Sequence, residues 1–139
     1  MNERYIFHLS IPVSELAPAK RFYVEVLGAK TGREDDEWLD VLLWGHQITL
    51  QRRPEEVLLL ERQGKRHFGV VLPWPVWERE SARLIAMRAS FMVAPAILQA
   101  GTAEEQAKFY LADSSNNVIE VKAYRDVAHV LGLSDVGYS

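Results

Sequence analysis

Three residues combine a side chain suited to chemistry with a place on an expected strand: His8, His67 and Glu120. His8 falls in residues 5–11, where Tyr, Ile and Phe favour a pleated surface. Side chains alternate across a strand, so Phe7, Leu9 and Ile11 share one side, and Ile6, His8 and Ser10 the other. His67 opens a second such run, residues 67–72. Glu120 sits inside Val118-Ile119-Glu120-Val121-Lys122 and shares a face with Lys122 and Tyr124. If the two opening strands lie side by side, two imidazoles meet and a neighbouring strand adds a carboxylate. Such a two-His, one-carboxylate set suits Fe(II), Mn(II) or similar ions and leaves coordination positions open for substrate. Taken singly, each residue reads equally well as a surface or satisfied core residue, and the spacings are too long to form a motif. The weight comes from how the chain repeats.

The elements that must position these residues occur twice. Pro12 closes the first strand, and Ser14 is the expected N-cap of a helix. Ala19, Phe22, Tyr23, Val26 and Leu27 form its apolar stripe. Pro18 falls in the first turn and Gly28 just past the end. Strands follow at residues 38–44 and 47–51, joined through Gly45-His46. Ile48 and Leu50 face the core; Gln47, Thr49 and Gln51 face the other way. Residues 52–65 fit a connecting helix or an irregular strand. The pattern then restarts with a strand at 67–72, closed by Pro73. A helix at 75–90 carries Trp77, Leu84 and Ile85. A short strand at 91–94, a loop at 96–106, and strands at 108–111 and 118–124 complete the half. Asp113-Ser114-Ser115-Asn116-Asn117 is a strong turn signal. A short helix is expected between Arg125 and Gly132. The loop over residues 94–106, with Gly101 as hinge, is a candidate lid over a pocket. Each half is strand, proline, helix, loop, then two or three strands, which places the two histidines equivalently.

Composition bounds the chemistry. The chain has 139 residues, enough for one domain with a sizeable core. It has no cysteine, which excludes disulfides, thiolate metal sites and a thiol nucleophile. Hydrophobic residues are 48% and charged residues 25%, an ordinary globular balance. A net charge of −3 offers no basic field for nucleic acid. No run approaches a membrane span and no signal peptide is evident, so a cytoplasmic location is the expectation.

The combination resembles the vicinal oxygen chelate superfamily, the group of glyoxalases, bleomycin-resistance proteins and extradiol dioxygenases. The matching pieces are Phe7-His8-Leu9-Ser10-Ile11-Pro12-Val13, Arg21-Phe22-Tyr23 with Val26-Leu27-Gly28, and Trp44-Gly45-His46-Gln47. They continue with His67-Phe68-Gly69-Val70-Val71-Leu72, Glu105-Gln106, and Asp113 through Glu120 to Tyr124. They span most of the chain and are most similar to the small predicted extradiol dioxygenases. The resemblance implies an α+β fold of two βαβββ modules forming an open, cup-shaped sheet. One domain over residues 1–139 would hold module one at about 4–60, module two at about 66–125 and a tail at 126–139. It implies His8, His67 and Glu120 as ligands of a divalent metal, Fe(II) first and Mn(II), Zn(II) or Ni(II) as alternatives. It implies a small-molecule substrate that chelates the metal through vicinal oxygens. It also implies a homodimer, with the site between modules of one chain or of two, and no nucleic-acid or membrane partner.

Two departures from the family pattern bear on function. The turn usually written Asp-Pro-Ser-Gly-Asn is Asp113-Ser114-Ser115-Asn116-Asn117 here. Asn tolerates the left-handed conformation that Gly supplies, so the turn should survive. Gln51 stands where related sequences often carry a histidine, and it cannot transfer protons near pH 7. Gln51, Tyr110 and His46 are the candidate catalytic residues. Gln47 or Thr49, as well as Gln51, is a candidate fourth ligand. Besides a dioxygenase, the resemblance leaves a glyoxalase I-type lyase or isomerase, a fosfomycin-resistance-type transferase, and a non-catalytic binding protein of bleomycin-resistance type. A glyoxalase would need a fourth, basic ligand on strand 47–51, where no Glu or His occurs.

Overall fold

A computed structural model describes residues 3–133. It divides into two compact units, each with one four-stranded sheet. The last residues of the expected tail, 134–139, lie outside the described residues.

The first unit takes the chain up to Arg66 together with Ala112–Asn117. It contains β1 (His8–Val13), α1 (Leu16–Arg21), β2 (Lys30–Glu34), β3 (Trp38–Leu43) and β4 (His46–Arg52). The strand order is β1-β4-β3-β2, with β1 parallel to β4 and the rest antiparallel. Alternation sorts the sheet as expected. Leu39, Val41, Leu43, Ile48 and Leu50 are buried on one side. Gln47, Thr49 and Gln51 occupy the other, beside His8, Ser10 and Pro12 in register.

Four local readings change. Pro12 lies inside β1 and does not end it; β1 is an edge strand, where a missing N–H costs no ladder bond. The N-cap of α1 is Glu15, because the Ser14 N–H is drawn to Ser115 Oγ at 2.8 Å. Beyond Arg21 the helix widens into a π turn, Phe22–Val26, closed by Leu27 N–H to Phe22 O. Ala19, Tyr23 and Leu27 still form the buried stripe. Residues 52–65 resolve as neither alternative but as two single 3-10 turns, Pro54–Glu56 and Leu60–Arg62.

The second unit holds His67–Leu111 and the chain from Val118 onward. Its elements are β5 (Phe68–Val71), α2 (Trp74–Ala86), β6 (Val93–Leu98), β7 (Gln106–Ala112), β8 (Val118–Tyr124) and α3 (Val127–Leu131). The order β5-β8-β7-β6 repeats that of the first unit, again with the opening strand parallel to its neighbour. The fold is therefore α+β, with a βαβββ module in each unit.

Helix α2 buries Trp74, Trp77, Ser81 and Leu84, and Trp77 Nε1 donates to Val121 O at 3.0 Å. Ile85, read as part of that stripe, is exposed. The stretch read as a loop from residue 94 begins as β6, an edge strand that runs to Leu98 and pairs with β7. The turn after it is closed by Thr102 N–H to Gln99 O. Helix α3 matches expectation, with Asp126 capping its start and Gly132 at φ 68° ending it. Among the described residues no helix is long and apolar enough to cross a membrane.

Candidate functional site

In the second unit, β8 carries Glu120 at its centre with Val118, Ile119 and Val121 buried around it. Its neighbour β5 runs parallel, with Gly69 opposite Glu120 and Phe68 opposite Ile119. His67 immediately precedes β5, so the pairing carries its ring to the Glu120 side chain. Nε2 of His67 lies 3.7 Å from Oε1 of Glu120, and the histidine is more than a third exposed while the glutamate is nearly enclosed. The approach depends on Gly69. A β-carbon there would fall on the Glu120 carbonyl oxygen.

Two further side chains converge on the same carboxylate. Lys122 Nζ sits 3.2 Å from Glu120 Oε1. The Tyr110 hydroxyl hydrogen-bonds Glu120, and its ring meets His67 edge to face with centroids 5.7 Å apart. Burial pushes the Glu120 carboxyl up, but hydrogen bonds from Tyr110 and Lys122 and the Lys122 charge outweigh it, holding the group below the ordinary carboxylate value. Burial and the Glu120 carboxylate raise Tyr110 to about 12. The phenol is therefore a fixed donor at neutral pH. Lys122 stays charged: burial works against it, and Tyr124 and Glu120 more than restore its basicity.

The donor chemistry suits a divalent ion. An imidazole nitrogen and an ionised carboxylate face each other at close to the separation of neighbouring donors around one metal. Lys122 competes for that carboxylate. Among the described residues no three His, Asp or Glu side chains are gathered as a metal cluster. His67 and Glu120 are brought together in the second unit; His8 belongs to the first.

His8 is exposed on the polar side of the first sheet, in register with Gln47 of β4. Gln51 lies on that side and donates from Nε2 to Ser10 Oγ at 3.2 Å. His46 is placed differently. It follows the two-residue link Trp44-Gly45, whose φ values of 53° and 80° match a tight hairpin turn. It shares its strand side with Ile48 and Leu50, and its Nδ1 accepts the Phe7 N–H at 2.9 Å. That bond ties down the segment leading into β1.

A carboxylate not singled out in the sequence stands on the same polar side. Asp40 of β3 is 3% exposed. It accepts from Thr49 Oγ1 at 2.7 Å, Arg33 Nε at 2.9 Å and Gln47 Nε2 at 3.4 Å. The available signal was its setting in Trp38-Leu39-Asp40-Val41-Leu42-Leu43, a charge inside an apolar strand, the same pattern that marked Glu120.

The whole arrangement is similar to known structures. A glyoxalase/bleomycin resistance protein/dioxygenase from Alicyclobacillus acidocaldarius matches 90% of this chain and 95% of its own, with 29% identity and a TM-score of 0.77. A fosfomycin resistance protein from Listeria monocytogenes matches 88% and 94% at 13% identity and a TM-score of 0.66. A lactoylglutathione lyase from Agrobacterium tumefaciens matches 88% and 96% at 13% identity and a TM-score of 0.62. The last two likenesses concern the fold alone. No family model matches the chain, and no curated protein matches it.

Proposed function

This chain belongs to the vicinal oxygen chelate superfamily, and from that fold we propose that it is a divalent-metal-dependent enzyme of extradiol dioxygenase type. The observation that carries the reading is the His67–Glu120 pair, an imidazole and an ionised carboxylate 3.7 Å apart. His67 and Glu120 would hold the metal, Fe(II) in first place. A bound ion would supply Lewis acidity and open positions for a substrate with two adjacent oxygens, such as a catechol.

The chain's own residues do the rest. Tyr110 keeps its proton at neutral pH and holds the Glu120 carboxylate by hydrogen bond, so it orients a ligand and does not act as a base. Gln51 can hydrogen-bond a substrate but cannot move a proton near pH 7, which leaves the polar side of that strand without an acid–base group. A basic fourth ligand of the lyase kind is likewise missing from β4, whose polar side holds Gln47, Thr49 and Gln51.

The test is an anaerobic Fe(II) titration followed by oxygen uptake with a panel of catechols. Iron bound with uptake supports the reading. Bound iron with no uptake from any catechol ends the dioxygenase assignment. A second reading, a metal-free binding module, is favoured by Lys122, whose ammonium already neutralises Glu120 at 3.2 Å. Elemental analysis of protein purified without chelator, beside Glu120→Ala, separates the two.

A further inference from the structure

The first unit contains a positioned guanidinium that the metal reading does not use. In the β2–β3 ladder Thr31 pairs with Val41 and Glu34 with Leu39, so two residues, Gly32 and Arg33, stand against Asp40 alone. This is a β-bulge, a device that re-aims a side chain. Gly32 permits it, since a β-carbon there would already press on Asp40 Cβ at 3.3 Å.

The bulge lays Arg33 over the polar side of the sheet. Its Nε donates to Asp40 Oδ2 at 2.9 Å, and its guanidinium carbon stands 5.1 Å from the Trp38 ring centroid. Asp40 is itself immobilised: its carboxylate also takes Thr49 Oγ1 and Gln47 Nε2, and its side chain is 5% exposed. Arg33 is 76% exposed, and among the described residues its Nη groups have no protein partner. Of five N–H donors, one is spent on orientation and four remain in a fork suited to a planar oxyanion.

A cleft of about 480 Å³ lies beside this fork. Its polar lining includes Arg33, Asp40, Gln47 and His8, and the exposed side chains of Leu42 and Ile6 add apolar surface. The cleft has the size of a small-molecule site. It pairs one directed cation with a hydrophobic wall and brings His8 to the same space.

We propose that this cleft is an oxyanion subsite in which Arg33, aimed by the Gly32–Arg33 bulge and locked by Asp40, takes the carboxylate or phosphoryl group of a small, partly apolar ligand. The assignment rests on the small-molecule reading above and gives that molecule a negative charge. Asp40 is a positioning residue here, and Arg33 is the residue that touches the ligand.

The test is an amide-shift titration at low chloride with chelator present, so that no metal contributes. Benzoate, inorganic phosphate and neutral benzyl alcohol are the probes, against wild type, Arg33→Gln and Arg33→Lys. Saturable anion binding is expected, with shifts at Arg33, Leu42 and Gln47. It should weaken at least about tenfold in Arg33→Gln and less in Arg33→Lys, which keeps the charge and loses the fork. Stronger binding of benzoate marks a carboxylate ligand, and stronger binding of phosphate a phosphoryl one. No saturable anion binding to wild type, equal binding in Arg33→Gln, or equal binding of benzyl alcohol overturns the subsite. The metal assignment is read by elemental analysis and stands or falls separately.

Discussion

Gly69 lies so close against Glu120 that its missing side chain is what lets β5 and β8 pair, since a β-carbon would fall on the Glu120 carbonyl oxygen. That contact fixes the distance between His67, two residues earlier, and the Glu120 carboxylate. Alanine in place of a strand glycine ordinarily helps by about 0.5–1 kcal/mol. Here the obstacle is backbone, which cannot rotate away. Gly69→Ala should therefore destabilise by about 3 kcal/mol or more, and denaturant unfolding checks it. A neutral or stabilising result would show that β5 can retreat from β8.

Lys122 and a metal would compete for one carboxylate oxygen. Replacing the lysine by glutamine removes a charge 3.2 Å from Glu120 Oε1. Two effects follow. The Glu120 pKa rises towards the ordinary value, and divalent-ion affinity rises by roughly tenfold, one charge–charge interaction of about 1.4 kcal/mol. Mn(II) titration by calorimetry of wild type and Lys122→Gln reads the second effect. If the protein is a metal-free binder, both proteins show the same absence of uptake.

Much of this site was legible because its signals are local. Glu120 stood out as a charge inside an apolar strand, and β8 runs over Val118–Tyr124 as read. Asn116 adopts φ 67°, the conformation its side chain tolerates, so the turn survives the loss of glycine. What escaped depends on neighbours in space. Pro12 inside β1 and Ala94-Pro95-Ala96 inside β6 look like strand breakers, and only their places at sheet edges make them acceptable. Asp40 escapes such a reading because its partners come from the two neighbouring strands, one of them through a bulge that no spacing announces. The sheet faces of Gln47, Thr49 and Gln51 followed from alternation, whereas the place of His46 follows from a bond to the backbone of Phe7.

Tyr110 should reveal itself in alkali. Burial and Glu120 raise its pKa to about 12, above the ordinary value near 10. The folded state thus holds this proton more tightly than the unfolded state does. The stabilisation is fully present below about pH 10 and fades as pH climbs towards 12. Tyr110→Phe removes the donor on Glu120 and should cost about 1–2 kcal/mol at pH 7. The gap between mutant and wild type should close above pH 10. Unfolding curves at pH 7, 10 and 11.5 test this, with the tyrosinate absorbance difference as a second readout.

Within the first unit the turn Ala112–Asn117 is locked by one buried acid, and its removal tests how far that unit depends on it. Asp113 accepts from the Tyr23 hydroxyl at 2.8 Å, from the Ser115 and Asn117 N–H groups, and from Asn117 Nδ2 at 2.9 Å. Asn117 Nδ2 also donates to Pro12 O, which fastens β1 to the same turn. Tyr23→Phe deletes one donor and leaves the carboxylate three others, so it should cost only about 1 kcal/mol. Asp113→Ala strands four donors, two of them backbone, and should cost about 3–5 kcal/mol. Asn116→Gly keeps the left-handed residue and should be near neutral, while Asn116→Ala should lose about 1 kcal/mol. The order Asp113→Ala, then Tyr23→Phe and Asn116→Ala together, then Asn116→Gly is the expected ranking in thermal denaturation. If Tyr23→Phe proved as damaging as Asp113→Ala, the stability would reside in the Tyr23 hydroxyl and not in the turn.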